Sequence, residues 1–282
     1  MTDNQEIAIR TRGLRREFGP LVAVDDLDTA IPAGGVIGFV GPNGSGKSTT
    51  IRMLLGLIAP TAGTAEVLGH PVTEPHAYAD RVGALIENPA FVPTITARAN
   101  VASMAALRGV PEARVDEVLA IVGLAERAGG KVADYSLGMK QRLGIAVALL
   151  SDPELLILDE PTNGLDPAGI VEVRGLIRQL ADEGRTVVVS SHLLSEIQAA
   201  ADYLIVIRFG ALLFAGPLDE LLERERKYVD VETSRPAELE TLRHHFAAIG
   251  YEVEPENGGL RVLVDPAESG SLNRTAAELG IT

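Results

Sequence analysis

The chain has 282 residues, enough to bury a large apolar core in one or two domains. It carries 39 acidic against 25 basic residues, and its formal net charge of −14 argues against a nucleic-acid binder, which needs a basic face. It contains no cysteine, which excludes disulfides, thiol chemistry and cysteine zinc sites and fits a cytosolic protein.

Residues 1–16 are polar and charged and lack the apolar core of a signal peptide. No apolar run approaches the roughly 18 residues that a membrane-spanning helix requires. We therefore expect no segment of this sequence to cross a bilayer, and work at a membrane would need a separate partner.

The first part of the chain alternates short predicted strands with turns. Strands are predicted at residues 7–10, 22–24 and 27–31, and shorter ones at 65–68 and 82–86. The strands that precede residue 36 indicate an antiparallel sheet on the flank of the segment that follows them.

Residues 41–49 match the phosphate-binding loop pattern at every position. They follow an apolar stretch at 36–40, typical of a buried parallel strand, and precede a helical pattern at 50–55. The free N–H groups and the dipole at the start of such a helix favour bound phosphate, whereas a simple glycine-rich turn would not need this context. The predicted nucleotide-binding residues are Gly41, Pro42, Asn43, Gly44, Ser45, Gly46, Lys47, Ser48 and Thr49.

Two side chains of this loop have predicted chemical roles. Lys47 places a mobile cation near the outer phosphates, and the Ser48 hydroxyl is a suitable ligand for Mg²⁺, which prefers oxygen.

The pattern turns helical from about residue 96 to 150, with breaks at 109–111 and 129–130, which predicts a helical insertion over about 90–152. Apolar strands return at 155–158 and 186–190, and two further strands are predicted at 203–207 and 211–214. Because strands alternate with helices, we predict an α/β core with a parallel sheet.

Composition shifts after residue 222. The charged stretch 223–227 predicts a linker or a solvated helix end. Strands are predicted at 228–232, 251–254 and 260–264, and helices at 237–249 and 271–279. The sequence thus predicts two domains, 1–222 and 223–282, of which the second is a small α/β appendage without a chemical motif.

The apolar strand predicted at 155–158 ends in two adjacent acids. Asp159 can hold Mg²⁺ directly or through water, and Glu160 can polarise an attacking water. Alone this signal is weak, because a strand often ends in a solvated acidic loop. Together with the phosphate loop upstream, it predicts nucleotide hydrolysis.

Over residues 7–222 the chain resembles the ATP-binding subunits of ABC transporters. Residues 135–142, Tyr-Ser-Leu-Gly-Met-Lys-Gln-Arg, are similar to the family signature Leu-Ser-Gly-Gly-Gln. Ser136 and Gly138 are kept, while Leu137 and Met139 depart from it. Ser136 also suits the N-cap of the helix that starts there, so a plain helix cap stays open as an alternative.

Three later matches complete the resemblance. Residues 163–166, which end in Asp166, resemble the dimer-contact loop of the family. His192 resembles its switch histidine, which contacts the γ-phosphate. Phe18 matches the position of an aromatic ring that stacks on adenine, although a core phenylalanine is a rival interpretation.

The resemblance implies a phosphate-loop NTPase core, a flanking antiparallel β-subdomain and a helical signature subdomain. It implies ATP and Mg²⁺ as cofactors, with Lys47, Glu160 and His192 as the catalytic residues. It also implies a second ATPase subunit, most simply a second copy in a homodimer, and a separate multi-span membrane permease. The chain would then lie at the cytoplasmic face of the membrane and bind no nucleic acid.

Glu87 departs from the family, which has glutamine at this position. The resemblance implies that this side chain ligates Mg²⁺ and links the site to the membrane partner. With Glu87 and the variant signature together, the chain resembles the subfamily of bacitracin- and lantibiotic-type exporters. This resemblance predicts export of a drug, peptide antibiotic or similar compound. The alternatives are an importer subunit, or a soluble ABC ATPase that acts on ribosomes or DNA, which the single nucleotide-binding domain and the acidic charge disfavour.

Overall fold

The structure is a computed structural model, and it describes residues 6–86, 90–224, 227–256 and 258–281. It forms two compact units, Met1–Leu218 and Asp219–Thr282. The sequence placed the boundary after residue 222, where the charged stretch begins. In the structure that stretch starts inside a helix, Leu218–Arg224, which crosses the division between the units.

The elements of the first unit are as follows. Its strands are β1 (Ile7–Phe18), β2 (Leu21–Pro32), β3 (Gly35–Val40), β4 (Ala62–Val67), β5 (His70–Pro71), β6 (Val82–Leu85), β7 (Leu155–Leu158), β8 (Thr186–Ser191), β9 (Tyr203–Arg208) and β10 (Ala211–Pro217). Its helices are α1 (Lys47–Leu54), α2 (Ala97–Leu107), α3 (Ala113–Ile121), α4 (Leu137–Ala148), α5 (Pro167–Asp182) and α6 (Leu194–Gln198). Short 3₁₀ helices lie at Pro75–Ala77, Ala79–Arg81, Ala125–Arg127 and Val132–Asp134.

The predicted antiparallel sheet is present, with the strand order β2-β1-β4-β5. The sequence divided β2 into two strands, but β2 is continuous. Between the pairs Leu14–Leu27 and Arg16–Val24, β2 has one more residue than β1, and Asp26 adopts a φ of 49°. Such a bulge absorbs the extra residue without ending the strand pairing.

The larger sheet has the order β10-β9-β3-β8-β7-β6 and is parallel except for the edge strand β10. Every residue of β7 and β8 is buried, as expected for strands covered on both faces. Because β8 lies between β3 and β7, the carboxyl ends of these three strands meet at one edge of the sheet. The predicted α/β core with a flanking antiparallel sheet is confirmed.

The predicted helical insertion contains α2, α3 and α4, which contact one another. The Thr96 side chain caps α2 by accepting a hydrogen bond from the Ala99 N–H at 3.1 Å. Gly109, at a φ of 67°, lies in the break that the sequence predicted between α2 and α3. The insertion leaves the sheet after β6 and returns to it at β7, which is the neighbouring strand.

The second unit begins within α7 (Leu218–Arg224), at Asp219, and contains a small antiparallel sheet. Its further elements are β11 (Tyr228–Val231), α8 (Pro236–Ala248), β12 (Glu252–Glu256), β13 (Gly259–Leu263), a 3₁₀ helix at Pro266–Glu268 and α9 (Ser269–Glu278). The strand order is β11-β13-β12. The core includes Leu242, Phe246, Leu260, Val262 and Leu272. Among all described residues, no helix has the length and apolarity needed to cross a bilayer.

Candidate active site

The phosphate loop joins β3 to α1 and is shaped by glycines. Gly46 precedes α1 with a φ of 104°, and a Cβ there would lie 2.4 Å from the Ala23 carbonyl oxygen. A Cβ at Gly41 would lie 2.3 Å from the Ile207 carbonyl oxygen. Both positions therefore require glycine, and no side chain caps the first N–H groups of α1.

Strand β8 and the turn between β9 and β10 each form a backbone hydrogen bond with this loop. The Gly41 N–H donates to the Ser191 carbonyl at 3.2 Å, and the Gly210 N–H donates to the Ser45 carbonyl at 3.0 Å. The Ser45 hydroxyl is buried and has no hydrogen-bond partner among the described residues. A donor held ready in a rigid, glycine-lined loop fits a bound phosphate.

Lys47 folds back over the loop. Its Nζ donates to the Gly41 carbonyl at 2.7 Å and lies 3.3 Å from Glu160 Oε1. The Lys47 side chain is only 5% exposed. The lysine of the loop and the glutamate that follows β7 are therefore in direct contact.

The two acids at the end of β7 share one buried partner on β8. Ser190 Oγ donates to Asp159 Oδ1 at 2.5 Å and accepts a hydrogen bond from the Glu160 N–H at 2.8 Å. Asp159 is 5% exposed, and Glu160 has a left-handed backbone with a φ of 50°. This backbone turns the chain away from the sheet immediately after Asp159.

His192 follows the end of β8 and contacts the same glutamate. Its Nδ1 lies 2.7 Å from Glu160 Oε2. The Glu160 carboxylate thus lies between Lys47 and His192, and the structure brings together the three residues that the sequence assigned to catalysis.

A second polar network, which the sequence reasoning missed, joins the loops that carry these residues. Glu196 Oε2 accepts hydrogen bonds from Thr162 Oγ1 at 2.9 Å and from Ser191 Oγ at 3.2 Å. Thr162 lies after Glu160, and Ser191 precedes His192. The one available signal for this side of the site was polar: two serines end the otherwise apolar strand β8.

Phe18 lies on the wall of a cleft of about 320 Å³ above the phosphate loop. It is 45% exposed, and the Arg16 guanidinium lies 4.5 Å from its ring centre. Leu21 and Val22 belong to the same wall, and Glu160 lines the cleft as well. Phe18 is not a core residue, which removes the rival interpretation of its role.

The signature segment lies apart from this cleft within one chain. Ser136 is exposed and caps α4, where its Oγ accepts a hydrogen bond from the Met139 N–H at 3.2 Å. Asp166 caps α5 by accepting from the Gly169 N–H at 3.1 Å. Among the described residues that line the cleft, none is Ser136, Gly138 or Asp166. Glu87 lies outside the described residues.

The phosphate loop, the two acids after a buried strand and the neighbouring histidine define a phosphate-loop nucleotide hydrolase. Three comparisons narrow this class. A family model described as ABC transporter matches residues 24–163. The bacitracin transport ATP-binding protein BcrA of Bacillus licheniformis is 45% identical over 277 residues, which cover 97% of this chain and 90% of that protein.

The lantibiotic transport ATP-binding protein SrtF of Streptococcus pyogenes is 37% identical over 211 residues, 75% of this chain and 91% of that protein. The fold is shared with the ADP conformation of MJ1267, an ATP-binding cassette of an ABC transporter, with a TM-score of 0.71 at 22% identity over 79% of this chain and 96% of that one.

The chain belongs to the ATP-binding subunits of ABC transporters. It binds ATP and is an ATPase. The resemblance to the bacitracin and lantibiotic type, predicted from the signature variant and Glu87, is confirmed by these relatives.

Proposed function

We propose that this chain hydrolyses Mg²⁺–ATP to power the export of a peptide antibiotic, drug or similar compound through a separate membrane permease. The observation that supports hydrolysis at this site is the Glu160 carboxylate, held between Lys47 Nζ and His192 Nδ1 at the edge where β3, β7 and β8 end. Export is supported by relatives that are named as bacitracin and lantibiotic transport proteins.

In this proposal different residues of the cleft bind different parts of the nucleotide. The loop N–H groups and Lys47 bind the phosphates, and Phe18 stacks on adenine. Ser48 and Asp159 hold Mg²⁺, to which hard oxygen ligands are suited. Ser190 would hold the Asp159 carboxylate in place for the metal through its hydrogen bond to Oδ1. Mg²⁺ bound there would neutralise charge on the phosphate oxygens.

Glu160 is the general base. It takes a proton from water as the water oxygen bonds to the γ-phosphorus and the bond to the β,γ-bridging oxygen breaks. His192 orients the Glu160 carboxylate through the 2.7 Å contact and reaches the γ-phosphate once nucleotide is bound. Lys47 must exchange its contact with Glu160 for the phosphates, which frees the base when ATP enters.

A second copy of the chain completes the site. Ser136 and Gly138 lie at the start of α4, and Asp166 caps α5, away from the cleft of their own chain. We propose that a partner subunit in a homodimer presents these residues to the γ-phosphate. ATP then stabilises the closed dimer through its contacts with both subunits, and hydrolysis releases it.

The permease would hold the chain at the cytoplasmic face of the membrane. Glu87 remains our proposed link to it and a proposed metal ligand. We expect Glu87→Gln to keep ATP binding and to change turnover or its coupling to transport.

The test is to isolate the protein from its native membranes in mild detergent and to identify what accompanies it. A stoichiometric multi-span protein is expected, and inside-out vesicles that contain both proteins should accumulate the exported compound only with ATP. A protein that is recovered alone or on ribosomes would overturn the transport proposal, and accumulation in the opposite direction would overturn export.

A further inference from the structure

We propose that Ser190 is a positioning residue that sets both acids of the site at once, the metal-binding carboxylate of Asp159 and the backbone turn of Glu160. The inference rests on the proposed function, because it assumes that Asp159 binds Mg²⁺ and that Glu160 is the base. It assigns to Ser190 a role that no motif of the sequence predicted.

The hydroxyl of Ser190 is fully committed. A serine hydroxyl has one proton to donate and lone pairs to accept. Here the proton goes to Asp159 Oδ1 at 2.5 Å, and a lone pair accepts the Glu160 N–H at 2.8 Å. The residue is 0% exposed, so water does not replace either bond. The two bonds fix the rotation of the hydroxyl, and the hydroxyl in turn fixes one carboxylate oxygen.

The bond to Glu160 matters because this residue leaves the sheet. The Asp159 N–H still donates to the Leu85 carbonyl of the neighbouring strand at 2.8 Å. Glu160 has a φ of 50°, unusual for a residue with a side chain, and its N–H is paired with a side chain instead of a strand. Ser190 therefore stabilises the turn that directs the Glu160 carboxylate towards Lys47 and His192.

The position of Ser190 follows from strand register. Leu158 of β7 lies opposite Val189 of the parallel strand β8. The residues that follow, Asp159 and Ser190, are consequently neighbours at the same edge. A single hydroxyl at this point contacts both acids, whereas a hydroxyl one residue later, on Ser191, contacts Glu196 and the Leu193 N–H.

Ser190→Ala should raise the Mg²⁺ concentration for half-maximal ATP hydrolysis and lower kcat, each by roughly ten- to a hundredfold, the range expected when a hydrogen bond to a buried charged group is lost. At saturating Mg²⁺ the KM for ATP should rise by a similar factor, because metal and ATP bind the protein together, whereas the Kd for ATP in EDTA, which depends on the loop and on Phe18, should change by less than about threefold. Ser190→Thr keeps the hydroxyl and should restore most of the Mg²⁺ dependence.

A readout without turnover uses Mn²⁺ and ATP with the full chain carrying Glu160→Gln. The electron paramagnetic resonance signal separates Mn²⁺ held on the protein from Mn²⁺–ATP in solution. Adding Ser190→Ala should reduce the protein-bound fraction, while binding of ATP in EDTA stays unchanged. This binding measurement does not depend on the wild-type protein hydrolysing ATP, so failure of the proposed function is seen separately, as absent turnover in the wild type.

Thr186→Val is the matched control, because it removes a buried hydroxyl from the opposite end of the same strand, where Thr186 Oγ1 accepts from the Gly34 N–H at 2.8 Å. It should lower the melting temperature without changing Mg²⁺ dependence. If Ser190→Ala does not fold, Ser190→Cys, a weaker donor of similar size, takes its place. Wild-type metal dependence in Ser190→Ala or in Ser190→Cys, or equal loss of ATP binding with and without metal, would overturn the inference.

Discussion

At the residue scale, Glu160 is the side chain on which the proposed hydrolysis depends most directly. Glu160→Gln keeps the size of the side chain and removes its capacity to take a proton. We expect ATP binding to persist, phosphate release to fall by roughly a hundred- to ten-thousandfold, and the protein to accumulate as a closed dimer. Phosphate release and size-exclusion chromatography with Mg²⁺–ATP measure these outcomes. Normal turnover would remove Glu160 from the role of base.

Phe18 permits a test of base stacking that leaves the phosphates untouched. Its ring is half exposed on the wall of the cleft, so Phe18→Ala should cost little stability. Loss of stacking should weaken ATP binding by roughly five- to a hundredfold, and Phe18→Trp should retain it. Binding of tripolyphosphate, which lacks a base, is the control and should not change. If the alanine variant binds ATP as tightly as the wild type does, Phe18 lines the cleft but does not stack on adenine.

Individual residues of the candidate site differ in how far the sequence alone could predict them. The phosphate loop was predicted at every position because its chemistry depends on residues adjacent in the chain. Whether Phe18 lies in the core or in the cleft depends on how β1 packs, so the sequence left both interpretations open. Ser190 and Glu196 act across strands and loops far apart in sequence, and one chain does not show which of its many serines and glutamates meet.

At the scale of elements, α6 connects the loop after Glu160 to the loop that carries His192. Glu196 binds Thr162 Oγ1 and Ser191 Oγ with the same carboxylate oxygen. Glu196→Ala should release both loops and lower kcat by roughly tenfold, with a smaller change in the Kd for ATP. Steady-state hydrolysis and equilibrium nucleotide binding separate the two quantities.

The matched variants for Glu196 are Glu196→Gln and Thr162→Val. The glutamine keeps an acceptor oxygen and should retain more activity than the alanine. Because Thr162 and Glu196 form one network, their combined effect on kcat should be smaller than the product of the two single effects. Independent effects would show that Glu196 does not act through Thr162.

Asp152 joins α3 to the start of β8 through two arginines. Its Oδ1 accepts from Arg185 and from Arg114, both at 2.9 Å. The hydrogen bond from Arg185 and the charge of Arg114 hold the pKa of the Asp152 carboxyl below its usual value. Asp152→Asn should lower the free energy of unfolding at pH 7 by at most about 1 kcal/mol, since the carboxylate is largely exposed.

The sign of the pH dependence follows from the lowered pKa of Asp152. The stabilisation is fully present above the ordinary aspartate pKa of 3.8 and is lost as pH falls through the lower folded value. Denaturant unfolding of both proteins from pH 7 to 3.5 should show a difference that is constant down to about pH 5 and shrinks below pH 4. Asparagine tolerates the φ of 51° at this position, so the change isolates the charge. A difference at pH 3.5 that is as large as the difference at pH 7 would contradict this account.

Element order was predictable because each strand and helix carries a local pattern of apolar residues. The strands β7 and β8 and the start of α2 were predicted near their observed bounds, whereas α3 ends at Ile121, well before the predicted break at 129–130. The continuity of β2 was not, because the acidic pair at 25–26 breaks the apolar alternation and only pairing with β1 shows that a bulge absorbs it. The strand order β9-β3-β8-β7 depends on packing between segments that are distant in sequence, so it likewise could not be predicted from the sequence.

At the scale of the whole molecule, the chain consists of two units whose described apolar cores share no residue. We therefore expect a chain that ends after residue 224 to fold and to bind ATP with wild-type affinity. Its melting temperature and its Kd for ATP, measured beside those of the full chain, check this expectation. Unfolding of the shortened chain would show that residues 227–281 stabilise the ATP-binding unit.

The path of the helical insertion has a consequence for how such proteins diversify. The chain leaves the large sheet after β6 and re-enters it at β7, the strand that pairs with β6. The helices in between are therefore an insertion whose two ends lie on adjacent strands. A segment attached in this way is a natural unit of exchange in evolution. It can lengthen, shorten or be replaced by recombination while the strand ends that carry Asp159, Glu160 and His192 stay in register.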